Sequence, residues 1–372
     1  IGGVGGASAL AAEGDHIFDP VLSLRGDCGV SKLDEVPDPG PCPGTPDVDH
    51  PVKPLKRPGA VTTDAHGDMY VSSSPEGAEG RIDVFDPEGN FITEVGDELG
   101  PLNLAVDSEG NLYVVNRAGN VAEEDIVLYE PTTYEPETGE IAYPEAPSAV
   151  VVAKNGEGGG LEGMAVNPTS DHLFVNFARK IVEYSSAAEG NTKLLEFASK
   201  RVSEEGGASE AGDPSVLEDD PTGLAIDVSR GRIYASTRNA PNNGDFGIRV
   251  FDLSSHALLW TIRPTVVPAG KFESGHISLA VDEGTGHLFV YDGAVKKLYE
   301  LEPKQALAAG AEYLETLDTA ERKFEYVFGS QIGVDNGAES PNGAANPKGR
   351  YLFVPAEGGS TGHSWAFGPQ SI

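Results

Sequence analysis

Asn103, Glu162, Thr222, His276 and Asn342 each stand within three residues ahead of a short apolar run. Brought to one place, they would offer chemistry. Glu162 with Asn103 and Asn342 supplies the oxygen ligands a hard cation such as Ca2+ prefers. His276 is then a base beside a Lewis acid. The same residues also suit a polar, water-filled opening, and no second carboxylate falls in the position matching Glu162. The other histidines are placed differently. His66 and His287 are read in turns, His172 at the start of a strand, and His16, His50, His256 and His363 in connections or edge strands, all as surface residues. No H-E-x-x-H pair or haem-type C-x-x-C-H occurs, and "GGVGG" neither follows a strand nor opens a helix.

What gathers these residues is a repeat. "PLNLAVDSEGNLYVVNR" (101–117) has counterparts in "PGAVTTDAHGDMYVSSS", "LEGMAVNPTSDHLFVNF", "PTGLAIDVSRGRIYAST", "HISLAVDEGTGHLFVYD" and "PNGAANPKGRYLFVPAE". The apolar residue of each first strand falls at Val61, Leu104, Met164, Leu224, Leu279 and Ala344, spaced by 43, 60, 60, 55 and 65 residues. An Asp or Asn (Asp64, Asn167, Asp227, Asp282) follows, able to cap a tight turn through its side chain. An aromatic-rich second strand comes next, then third strands such as "DIVLYEP" and fourth strands such as "FITEVG" and "FEYVFG".

Four antiparallel strands repeated at this period predict a β-propeller, because a twisted four-stranded sheet buries its faces only against its neighbours. The expected fold is all-β, with six blades starting near 58, 101, 161, 221, 276 and 341. An N-terminal strand within 16–26 completes the last blade beside 363–367 and removes an open edge. Residues 304–322, rich in Ala and Leu, are expected to form a short helix. Residues 1–15 form a Gly/Ala-rich tail, and 27–57 a loop that Cys28 and Cys42 would bridge. A disulfide closing a loop of this length contributes about 3 kcal/mol in the chain-entropy model.

The pattern P-x-G-φ-A-φ-D-x-x-G-x-φ-Y-V resembles the NHL repeat over residues 58–367. In overall look the chain resembles large secreted bacterial proteins of that kind. The resemblance implies the propeller but no single activity, since such propellers include scaffolds, RNA-binding modules, a zinc-dependent lyase and relatives of calcium-dependent lactonases. The lyase needs several channel histidines, and only His276 is in position.

Charge narrows the choice. Fifty-nine acidic residues against 26 basic ones give a net charge of −33. Nucleic-acid binding rests on Lys and Arg displacing counterions from phosphates, which this balance opposes. No run of 18 apolar residues offers a membrane span. The cysteine pair points to an oxidising, extracellular or cell-surface setting. The chain starts at Ile1, which fits either a processed terminus or a cut from a longer precursor. The function expected is therefore a secreted, non-catalytic module without a required cofactor. It would bind protein or further copies of itself, with the tail as a filament contact. The rival is a divalent-metal-dependent, lactonase-like hydrolase at the channel mouth.

Overall fold

The computed structural model describes residues 16–25, 58–73, 80–87, 91–97, 100–117, 124–135, 138, 140–153, 161–177, 180–198, 217, 223–237, 247–270, 272, 277–293, 295–317, 331–334, 352–358 and 361–369. These form an all-β propeller. Five blades are four-stranded antiparallel sheets, each drawn from one continuous stretch of chain. Their inner strands are Pro58–Thr63, Pro101–Val106, Leu161–Asn167, Leu224–Asp227 and Ile277–Asp282. Each touches the next around a central axis.

The expectation of six like blades is corrected to five. The gap between fifth and first blades is filled by a composite sheet, ordered His16–Arg25, Thr361–Pro369, Leu352–Gly358, Gly333–Val334 from outside in. It is not a copy of the repeat. Its innermost strand has two residues and lies ahead of Ala344, where the sequence pattern put it. The outermost strand comes from the other end of the chain, pairing Leu24 with Ser364 and Arg25 with His363.

A close approach explains the short strand. Gln331 and Ala60 form a parallel bridge, with Val61 N donating to Gln331 O at 3.0 Å and Gln331 N donating to Gly59 O at 3.1 Å. A β-carbon at Gly333 would lie 2.8 Å from Val61 O, so only glycine lets this strand pack on the first blade.

The expected helix in 304–322 is also corrected. Its described part contains turns up to Gly310 and then the strand Ala311–Thr316, the outer strand of the fifth blade. Gly310 has φ +78° and its carbonyl accepts from Trp260 Nε1 at 3.0 Å, which ends the turn against the fourth blade. Among the described residues the helical elements are two single 3-10 turns, Ala187–Glu189 and Pro264–Val266.

The core lies between blades. Second strands are buried on both faces, and their aromatics Tyr70, Tyr113, Phe174, Tyr234 and Phe289 are at most 1% exposed. Separate apolar clusters fill the seams between successive sheets, for instance Tyr113, Val115 and Leu128 against Met164, Leu173 and Val175. Each outer strand of the five blades carries one extra residue opposite its neighbour: Ile92, Val151, Leu194, Leu259 and Leu314. Such bulges twist a strand and leave a poor template for edge-to-edge pairing.

Candidate functional site

The inner strands and residues 331–334 surround a central chamber of about 180 Å³. Its room comes from a column of small residues, Thr62, Ala105, Ala165, Ala225, Ala280 and Gly333, one from each sheet. The turn end of the chamber is flanked by Asp64, Asp107, Ser108 and Glu283.

Those acidic groups hold their own turns. Asp64 Oδ1 accepts from the amides of His66 at 2.8 Å and Asp68 at 3.0 Å. Asp107 Oδ1 accepts from the amides of Glu109 and Asn111 at 3.0 and 2.9 Å, and its Oδ2 from Asn111 Nδ2 at 2.9 Å. Asn167, Asp227 and Asp282 bond the amides of their turns in the same way. Burial raises the pKa of Asp107 to about 6 although the bonds from Asn111 oppose it. Burial likewise raises Asp64 and Asp227 from their ordinary value.

The strand-start end is closed by a residue the sequence reading missed. Gln331 Oε1 accepts from Leu104 N and its Nε2 donates to Leu104 O, both at 2.8 Å. The side chain thus reaches past the first blade and acts as a peptide unit beside the second. A signal for it exists: Ile332-Gly333-Val334-Asp335 repeats Leu104-Ala105-Val106-Asp107, with Gln331 in the place of Asn103. The pattern match at 341–357 hid it.

Of the residues expected at the channel mouth, Asn103 is buried in its strand and does not line the chamber. Glu162 sits where the pairing of Leu161–Asn167 with His172–Phe177 shifts register, its backbone alone being described. Thr222, His276, Asn342, Cys28 and Cys42 lie outside the described residues. Among the described residues no three His, Cys, Asp or Glu side chains converge at metal-binding spacing.

The histidines need one correction. His172 and His287 both open second strands, are less than a quarter exposed, and each bonds a glutamate of the third strand. His172 Nδ1 lies 2.7 Å from Glu183 Oε1, and His287 Nδ1 lies 2.6 Å from Glu300 Oε1. His256, from the fourth blade, lies tilted against Phe197 with centroids 4.6 Å apart and brings Nε2 to 3.3 Å from Glu183 Oε2. Burial works to raise the Glu183 pKa, but the bonds from His256 and His172 prevail and lower it.

A second polar cluster lies under the hairpin Thr133–Glu135/Glu140–Ala142 inserted in the second blade. Tyr134 donates to Asp64 Oδ2 at 2.9 Å, and Tyr143 donates to Gly110 O at 2.7 Å. Tyr143 also lies 3.2 Å from the hydroxyl of Tyr70.

No protein-family model and no curated protein matches the chain. Solved structures do match. A hydrazine synthase chain of Kuenenia stuttgartiensis is 10% identical with a TM-score of 0.51, the match covering 88% of this chain and all of that one. A Bacteroides thetaiotaomicron protein of unknown function is 13% identical with a TM-score of 0.51, covering 84% of this chain and 70% of that one. These likenesses establish the β-propeller fold and nothing about activity.

Proposed function

We propose that this chain is a non-catalytic propeller module of a secreted or cell-surface protein of the NHL-repeat kind, binding protein partners, further copies of itself included, on its faces. The observation that carries this reading is the engagement of the turn carboxylates. Asp64 and Asp107 flank the axial chamber and Asp282 ends the inner strand of the fifth blade, yet each is bonded to the amides of its own turn, which suits an axle holding blades together better than a site holding a substrate. The net charge of −33 adds a condition. Two such surfaces repel beyond contact unless counter-ions intervene, and Ca2+ is the proposed bridge.

Light scattering on the full chain tests the reading, with Ca2+ and with chelator. A mass that is a multiple of 38.9 kDa in Ca2+, falling on chelation, is the expected result. A single-chain mass in both, together with hydrolysis of a lactone panel that chelation abolishes, overturns it.

A further inference from the structure

The chamber on the axis has no role in the surface binding just proposed, and its chemistry is specific. Apolar side chains of Leu104, Met164, Leu224, Leu279 and Ile332 line it alongside polar groups, and the small-residue column keeps the centre open. Gln331 closes one end by bonding both the amide and the carbonyl of Leu104. On the wall, the hydroxyl of Thr62 makes no hydrogen bond with any described group, whereas its neighbour Thr63 donates to Val334 O at 3.0 Å.

Charge sets the class of occupant. Asp64, Asp107 and Glu283 flank the turn end and repel an anion. A cation gains little there, because the Asp107 oxygens are taken by Glu109 and Asn111, and Glu283 Oε2 accepts from Ser229 N and Oγ at 3.2 and 3.0 Å. A neutral molecule meets neither that repulsion nor the need for a charged partner. A cavity of about 150 Å³ has room for one benzene, and this chamber is slightly larger at about 180 Å³.

We propose that the axial chamber is a binding site for a small neutral molecule of roughly benzene or phenol size, apolar except for one hydroxyl or carbonyl group that bonds the Thr62 hydroxyl. The aromatic or alicyclic body contacts Met164 and the leucines, and the polar group lies against the first blade.

The chain supplies its own reporter. It has two methionines, Met164 on the chamber wall and Met69 buried in the first blade. With 13C-methyl methionine in the full chain, phenol should move the Met164 methyl signal saturably and leave Met69 in place. Benzene should do the same about five-fold more weakly, the worth of one modest hydrogen bond. Ala165→Leu, which adds bulk to the chamber wall, should abolish the Met164 shift. Thr62→Val should remove the advantage of phenol while keeping benzene binding. Absence of a saturable shift in the folded wild-type chain overturns the proposal. So does a Met164 shift that survives in folded Ala165→Leu. If Ala165→Leu does not fold, Thr62→Val decides, and an unchanged preference for phenol overturns the role given to Thr62.

Discussion

Gln331 joins the composite sheet to Leu104 of the second blade by two hydrogen bonds of 2.8 Å, passing the first blade between them. It fastens the place where the ends of the ring meet. Gln331→Ala would leave the Leu104 amide and carbonyl without these partners, at a cost of about 2–4 kcal/mol for two partly buried groups. Gln331→Glu keeps the acceptor and loses the donor, so its loss should be smaller at low pH, where the carboxyl carries a proton. Urea unfolding at two pH values measures both. Equal midpoints for wild type and Gln331→Ala would show that the clamp contributes nothing.

Asp107 gives stability a pH dependence of unusual sign for a carboxylate. Its folded pKa is raised by burial to about 6 from the ordinary 3.8. Between those values the folded chain holds a proton that the unfolded chain has released, so stability is present below about pH 4 and declines as pH rises to 6. The decline is at most about 3 kcal/mol, the two-unit difference converted to free energy. Asp107→Asn keeps an acceptor for the turn amides and cannot ionise. It should flatten the wild-type slope between pH 4 and 6 and be at least as stable at pH 7. A slope unchanged in Asp107→Asn assigns the titration elsewhere.

Glu183 works in the opposite sense. Its burial favours the neutral form, but the bonds from His256 and His172 outweigh that and lower its pKa. Its contribution is therefore present above the ordinary value of 4.5 and is lost as pH falls through the lower folded value. Because His172 belongs to the third blade and His256 to the fourth, Glu183→Gln should loosen one seam. Acid unfolding should begin at higher pH wherever that seam limits stability. Hydrogen exchange should rise first in Lys180–Tyr184 and Gly247–Asp252. Uniform acceleration over all blades would count against a local seam.

Much of the scaffold is legible in the sequence because its signals are local. Apolar alternation marks the inner strands, Asp64, Asn167, Asp227 and Asp282 mark the turns whose amides they bond, and the aromatics mark the twice-buried second strands. The closing sheet escapes because it is not local. Gly333–Val334 is too short for any periodicity, and its place is fixed by contact with Val61 from the other end of the chain. Gln331 escapes for the same reason, its partner Leu104 lying far away in sequence. The glutamates facing His172 and His287 sit on third strands, so only pairing across strands reveals them. Alanine and leucine content suggested a helix in 304–322, but Gly310 and cross-strand pairing of Ala311–Thr316 decided for a strand.

The hairpin inserted in the second blade fastens that blade to the first, and its removal can be tested in parts. Tyr134 donates to Asp64, whose pKa burial raises and this bond lowers. Tyr134→Phe deletes the donor and should push the Asp64 pKa higher still. The variant should lose about 1–3 kcal/mol at neutral pH, and the loss should shrink in acid as Asp64 takes up a proton. The same ring lies over Gly110, which has φ +81°, and a β-carbon there would run into it. Gly110→Ala should therefore be worse than the roughly 1–2 kcal/mol expected for a left-handed residue alone. Combining it with Tyr134→Ala should recover the steric part and leave the backbone part. Strict additivity of the two substitutions, measured by thermal unfolding, would mean that ring and turn are not in contact in solution.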